Sequence, residues 1–111
     1  MTMVVRAEGV CRVIDLQGRL DTGNAEEILA TFMAELQDTP GQVLITLSAL
    51  EFVSSAGLRV ILRVAKHVRG YSGALKVCGA DGMVKEVLEI SGFDSLLDMY
   101  DTEERALATF G

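Results

Sequence analysis

The sequence predicts an α/β fold: a mixed, mostly parallel sheet of four to five strands, about four helices and an N-terminal β-hairpin. Three observations carry that expectation. Runs of β character and runs of helical period alternate in the order ββαβαβα, followed by a weaker βα pair. The segment "VLITL" at 43–47 is apolar almost throughout and rich in β-branched residues, as in a strand covered on both faces. With 111 residues, half of them hydrophobic and 23% charged, residues 1–111 suit one globular domain around one core.

"MVVRAE" and "VCRVIDLQG" are β-rich and separated by Glu8-Gly9, which predicts the hairpin. After "GRLDTGN" the period changes: Ala25, Ile28, Leu29, Phe32 and Leu36 recur at helical spacing, with Asp21, Thr22 and Asn24 each able to cap. "DTPGQ", containing the one proline, ends that helix. Strand "VLITL" precedes a second helix starting at Ser54 or Ser55, whose stripe is Leu58, Ile61, Leu62, Ala65 and Val68. Its opposite side carries Arg59, Arg63, Lys66 and His67, read as a solvated face. "ALKVC" is a further strand. Asp81 caps a third helix with Met83, Val84, Val87, Leu88 and Ile90 as its apolar residues, and Gly92-Phe93 forms its C-terminal stop. "LLDMY" reads as a short last strand, and "DTEERALATF" as a terminal helix with Asp101 and Glu104 at capping-box spacing.

Strand–helix–strand order makes neighbouring strands parallel. The loops at Asp21–Asn24, Val53–Ala56 and Gly79–Gly82 then converge on one edge of the sheet, where open α/β sheets place their sites.

Composition excludes several functions. A net charge of −6 opposes binding to a phosphate backbone, so no direct nucleic-acid contact is expected, and it favours a basic or mixed protein partner. No apolar run approaches the roughly 20 residues that span a bilayer, and the first residues lack a signal-peptide pattern. No membrane insertion and a cytoplasmic location are therefore expected. Cys11 and Cys78 are far apart in β-like runs, which predicts two buried free thiols rather than a disulfide or metal site.

Enzymatic chemistry finds no support. No glycine stands two residues before Ser54 or Ser55, as a nucleophile elbow requires. His67 falls about three turns along the same helix, ~18 Å from Ser55 at ~1.5 Å per residue, too far to act as its base. "GADGMVK" is not a P-loop, and no set of carboxylates has metal-ligand or acid–base spacing. No cofactor, metal or catalytic residue is expected. The serine pair has two compatible readings: a helix cap, or a phosphorylation site where the helix N-terminus tolerates added negative charge.

Taken together, "LQGRLDTGNAEEI", "VLITLSALEFVSSAGLRVILRVAKHVRG", "ALKVCGADGMVKEVLEISGFDSLL" and "YDTEERALATF" resemble the anti-sigma factor antagonists, bacterial proteins of the STAS fold. The specific elements are the G-x-L-D step into the first helix and the "FVSSAGL" phosphoacceptor motif at this separation.

The resemblance implies a partner switch. Unphosphorylated members bind an anti-sigma factor that is also a GHKL-type serine kinase, which frees the sigma factor. Phosphorylation dissociates the complex, and a serine phosphatase resets it. By position the phosphoacceptor is Ser55, with Ser54 as the alternative. Asp21, Thr22, Asn24, Ser54, Ala56, Gly57, Leu58 and Arg59 form the expected partner surface, on a monomer or weak dimer. Two positions depart from the family pattern. Ser54 replaces a common Asp, and Thr46 stands where relatives often have Asp or Asn. Two other readings are compatible with the sequence. One is a STAS scaffold or regulatory subunit, stressosome-like or partnered with a lipid-transport ATPase, not controlled by serine phosphorylation. The other is an anion site at the helix N-terminus.

Overall fold

The computed structural model describes residues 1–37 and 40–110. β1 (Thr2–Glu8) and β2 (Cys11–Leu20) form the expected antiparallel hairpin, with Gly9 at positive φ in its turn. α1 (Ala25–Leu36), β3 (Gln42–Thr46), β4 (Leu50–Val53), α2 (Ser55–Gly70), β5 (Ala74–Cys78) and α3 (Gly82–Ile90) follow. β6 (Met99–Tyr100) and α4 (Glu103–Thr109) complete the order. The sheet runs β1-β2-β3-β5-β6, with β4 also on β2. Every pairing except that of the hairpin is parallel.

The described residues form six strands where four or five were expected, and β4 is the addition. Its four residues are too few to declare a period, and only a long-range partner makes them a strand. β2 is long enough to pair twice. Cys11–Asp15 lie along Gln42–Thr46 of β3, and Gly18–Leu20 along Leu50–Val53 of β4. The register shifts between Gly18 and Arg19, where Gly18 adopts φ +98° and donates its N–H to Ala49 O at 3.0 Å. A side chain at Gly18 would be strained in that backbone, so glycine permits the strand to serve two partners.

The larger core joins α1, α2 and α3 to one face of the sheet, through Ile28, Phe32, Ile61, Val64, Val84 and Leu88 among others. The other face carries a smaller cluster of Cys11, Val13, Leu44 and Cys78 beneath Ala106 of α4. Arg6 ties β1 to α4 through its ion pair with Glu103.

Several expectations are corrected at the periphery. Met83 and Ile90 are exposed, at 53% and 87%, because the nine-residue α3 packs through Val84 and Leu88 with Val87 half-buried. α4 is capped by Thr102, whose Oγ1 accepts the Arg105 N–H at 3.2 Å, and not by Asp101. Of "LLDMY" only Met99–Tyr100 is strand, while Leu97 is buried in the larger core. α1 ends at Leu36, ahead of the proline; Asp38 and Thr39 of "DTPGQ" lie outside the described residues. Gly92 has the left-handed backbone expected at its stop.

Both cysteines are free and buried, and burial pushes both thiols up. The folded chain therefore retains two protons that the unfolded chain releases above about pH 8.5. That contribution is whole below the unfolded value and is lost as pH rises through the folded values. Both thiols are expected to resist a disulfide reagent until denaturant is added. The urea midpoint should also fall more steeply on the alkaline side than in a Cys11→Ala, Cys78→Ala variant; equal slopes would refute this.

Candidate functional site: the sheet edge at Ser54 and Ser55

β2 and β4 run parallel and end together at Leu20 and Val53, so the segments entering α1 and α2 leave the same edge. The Ser54 N–H donates to Leu20 O at 3.0 Å and ties the two exits together. Ser54 has extended backbone, φ −92° and ψ 175°, and its Oγ accepts the Gly57 N–H at 3.2 Å. Its carbonyl takes the Leu58 N–H at 2.9 Å. Ser54 is thus the helix cap.

Ser55 is the first residue of α2 and is exposed. Its hydroxyl has no partner among the described residues. One serine is committed to the backbone and its neighbour is free.

Gly57 and Leu58, expected on the partner surface, are instead buried. A Cβ at Gly57 would lie 2.8 Å from Leu20 Cγ, 2.9 Å from Leu20 O and 2.9 Å from Val53 Cγ2. The absent side chain makes room for the protein's own strand ends. Ala56 is half-buried, and Arg59 is exposed.

The other loop is held by its own side chains. Asp21 Oδ1 accepts the Gly23 N–H at 2.9 Å, and Asn24 Oδ1 accepts the Asp21 N–H at 2.9 Å. Asn24 Nδ2 donates to Arg19 O at 2.8 Å. Asn24 occupies the cap position of α1, yet its side chain is turned back into the loop and caps nothing. Thr22 is exposed, while Asp21 and Asn24 are half-buried. Nearby, the Arg19 guanidinium stands 4.2 Å from the Phe52 ring centroid and covers the strand leading to Ser54.

The third predicted loop reaches the edge at Ser48. Leu47 N–H donates to Cys78 O at 2.8 Å, and a Cβ at Gly79 would meet Ser48 Cβ at 3.1 Å. Thr46 is 4% exposed, with its hydroxyl 3.2 Å from that of Ser48. The departure at Thr46 is thus satisfied internally. His67, expected in solvent, is half-buried: Nε2–H donates to Gln37 O at 2.6 Å and its ring leans on Tyr71.

One feature was not foreseen. A shallow groove of about 230 Å³ runs between α1 and α2, with Arg59 and Arg63 on one wall and Glu26 and Leu29 on the other. Ala25, Ala56 and Val60 line it as well. Ser55, Arg59, Arg63 and Lys66 follow at i, i+4, i+8 and i+11, so one exposed helix face begins at the free hydroxyl. That spacing was present in the sequence, but the groove needed the position of α1. Among the described residues, no helix is long and apolar enough to cross a membrane, and no His, Cys, Asp or Glu group is disposed to hold a metal.

The family described as STAS domain matches residues 2–106. BtrV of Bordetella bronchiseptica, named as a candidate anti-sigma factor antagonist, is 41% identical over 95 residues, covering 86% of this chain and 82% of that protein. The crystal structure of a candidate anti-sigma factor antagonist, TM1081 of Thermotoga maritima, superposes with a TM-score of 0.89 at 20% identity, covering 96% of this chain and 92% of the other. Bacillus SpoIIAA in its phosphorylated form gives a TM-score of 0.70 at 21% identity, covering 96% and 97%.

The two serines should separate in stability. Ser54→Ala removes the cap and is expected to cost about 1 kcal/mol, whereas Ser55→Ala should stay within about 0.5 kcal/mol of the parent. Gly57→Ala should cost about 1–3 kcal/mol from overpacking, even though alanine is the better helix former. Urea denaturation of the three variants measures all of this, and equal effects of Ser54→Ala and Ser55→Ala would contradict the division of labour.

Proposed function

The chain belongs to the STAS domain family, and from that premise we propose that it is an anti-sigma factor antagonist switched at Ser55. Unphosphorylated, it binds an anti-sigma factor of the GHKL serine-kinase type and so releases a sigma factor. Transfer of the ATP γ-phosphoryl group to Ser55 Oγ then ends the complex, and a serine phosphatase restores the hydroxyl. The names of relatives such as BtrV support the partner class.

The observation that carries the switch is the contrast between the serines. Ser54 Oγ is engaged by Gly57 N–H, while Ser55 Oγ is exposed and unengaged at the first position of α2. A kinase reaches Ser55 without disturbing the cap. A phosphate there adds a charge of about −1.5 to −2 beside the N–H groups of a helix N-terminus, which stabilise it. The fold therefore survives a modification that a close-packed partner surface does not. Asp21 and Thr22 stand on the adjoining loop, tied to this one through Leu20 and Ser54, and extend the same docking edge.

The test uses the purified chain with the anti-sigma factor that binds it. Ser55→Ala is expected to bind as the parent does but to resist release by ATP. Ser55→Asp should bind about tenfold or more weakly, a loss of about 1.4 kcal/mol or more. Mass spectrometry of residues 51–62 should show the phosphate on Ser55. Undiminished binding by the Asp variant, or a phosphate on Ser54 alone, would overturn the proposal.

A further inference from the structure

The groove between α1 and α2 opens beside Ser55, and its chemistry is one-sided. Arg59 and Arg63 form no ion pair among the described residues, although the chain carries 16 acidic against 10 basic residues. Glu26 stands on the opposite wall and pairs with neither. Between them lie Ala25, Ala56 and Val60, with Leu29 alongside Glu26. An occupant that satisfies these walls has an apolar ridge and carboxylates along the edge that meets α2. Its other edge, facing Glu26, is neutral or basic.

We infer that the groove receives an acidic, amphipathic segment of the protein partner, which seats one apolar side chain between the helices and sets its carboxylates on Arg59 and Arg63. The inference deepens the proposed switch and rests on that reading for the identity of the partner. It also supplies a second route to release. Arg59 is one helical turn from Ser55, a spacing at which side chains meet. A phosphate on Ser55 therefore competes with the partner's carboxylates for Arg59, so modification both repels the occupant and removes one of its ligands.

The test has two arms. In the first, the 15N-labelled chain is titrated with a synthetic helical peptide carrying Leu on one face and Glu along one edge, and with a matched peptide carrying Lys for Glu. Backbone resonances of Ala25, Leu29, Ala56, Arg59 and Arg63 should move with the Glu peptide and not with the Lys peptide. Affinity should fall about fivefold in an Arg59→Glu, Arg63→Glu variant, as for the loss of two exposed charge pairs, and should weaken as salt is raised. Equal binding of both peptides, perturbation elsewhere, or absence of binding overturns the inference. Concentration-dependent shifts of the groove without peptide would assign it to a second copy and overturn it too.

In the second arm, the same double variant, shown to be folded by its spectrum, is compared with Lys85→Glu on α3 for binding to the anti-sigma factor. A loss of about fivefold or more confined to the groove variant is expected. Equal losses in both variants would point to overall charge and refute the groove. If the parent chain binds no anti-sigma factor, the proposed function fails, and the peptide arm still decides the groove.

Discussion

The arrangement depends on one close contact: the first turn of α2 is seated on the ends of β2 and β4 where residue 57 lacks a side chain. With a Cβ there, Leu20 and Val53 would have to yield or the helix would lift. Seated as it is, α2 brings its N-terminus to the level of the strand ends. The Ser54 N–H then reaches Leu20 O, and the two loops become one surface. The placement of Ser55 follows from packing beneath it, with no feature of its own required.

At the same edge, the side chains that hold the fold and those that the surface presents are different ones. Ser54 satisfies a backbone donor, Asn24 satisfies the Asp21 N–H and the Arg19 carbonyl, and Asp21 satisfies the Gly23 N–H. These side chains fix the edge. Ser55, Thr22 and Arg59 are exposed, and their side chains make no hydrogen bond or ion pair among the described residues. A chemical change at the exposed positions alters what the surface presents and leaves the framework in place.

Much of this was legible in the sequence because it is local. The helical stripe of Leu58, Ile61, Ala65 and Val68 has the period of its element, and the hairpin turn declares itself at Gly9. What was not legible depends on distant partners. β4 exists because β2 has a second half to pair with, and Met83 is exposed because α3 is short. His67 finds Gln37 only through the packing of α1 on α2. Gly57 is expected on the partner surface from its place in the motif, yet the constraint on it is internal, which spacing alone does not distinguish. The motif names the candidate site residues, and their division into scaffold and surface comes from burial.

The hairpin also has a practical consequence for handling the molecule. β1 runs antiparallel to β2, so Thr2 lies opposite Gln17, near the end of β2 from which the Asp21 loop departs. A purification tag joined ahead of Met1 therefore begins near the edge that carries Ser54 and Ser55. α4 lies on the sheet face away from α1, α2 and α3, so a reporter fused behind it starts from the side that the edge does not use. The choice of fusion end decides whether an assay reads the surface or obstructs it.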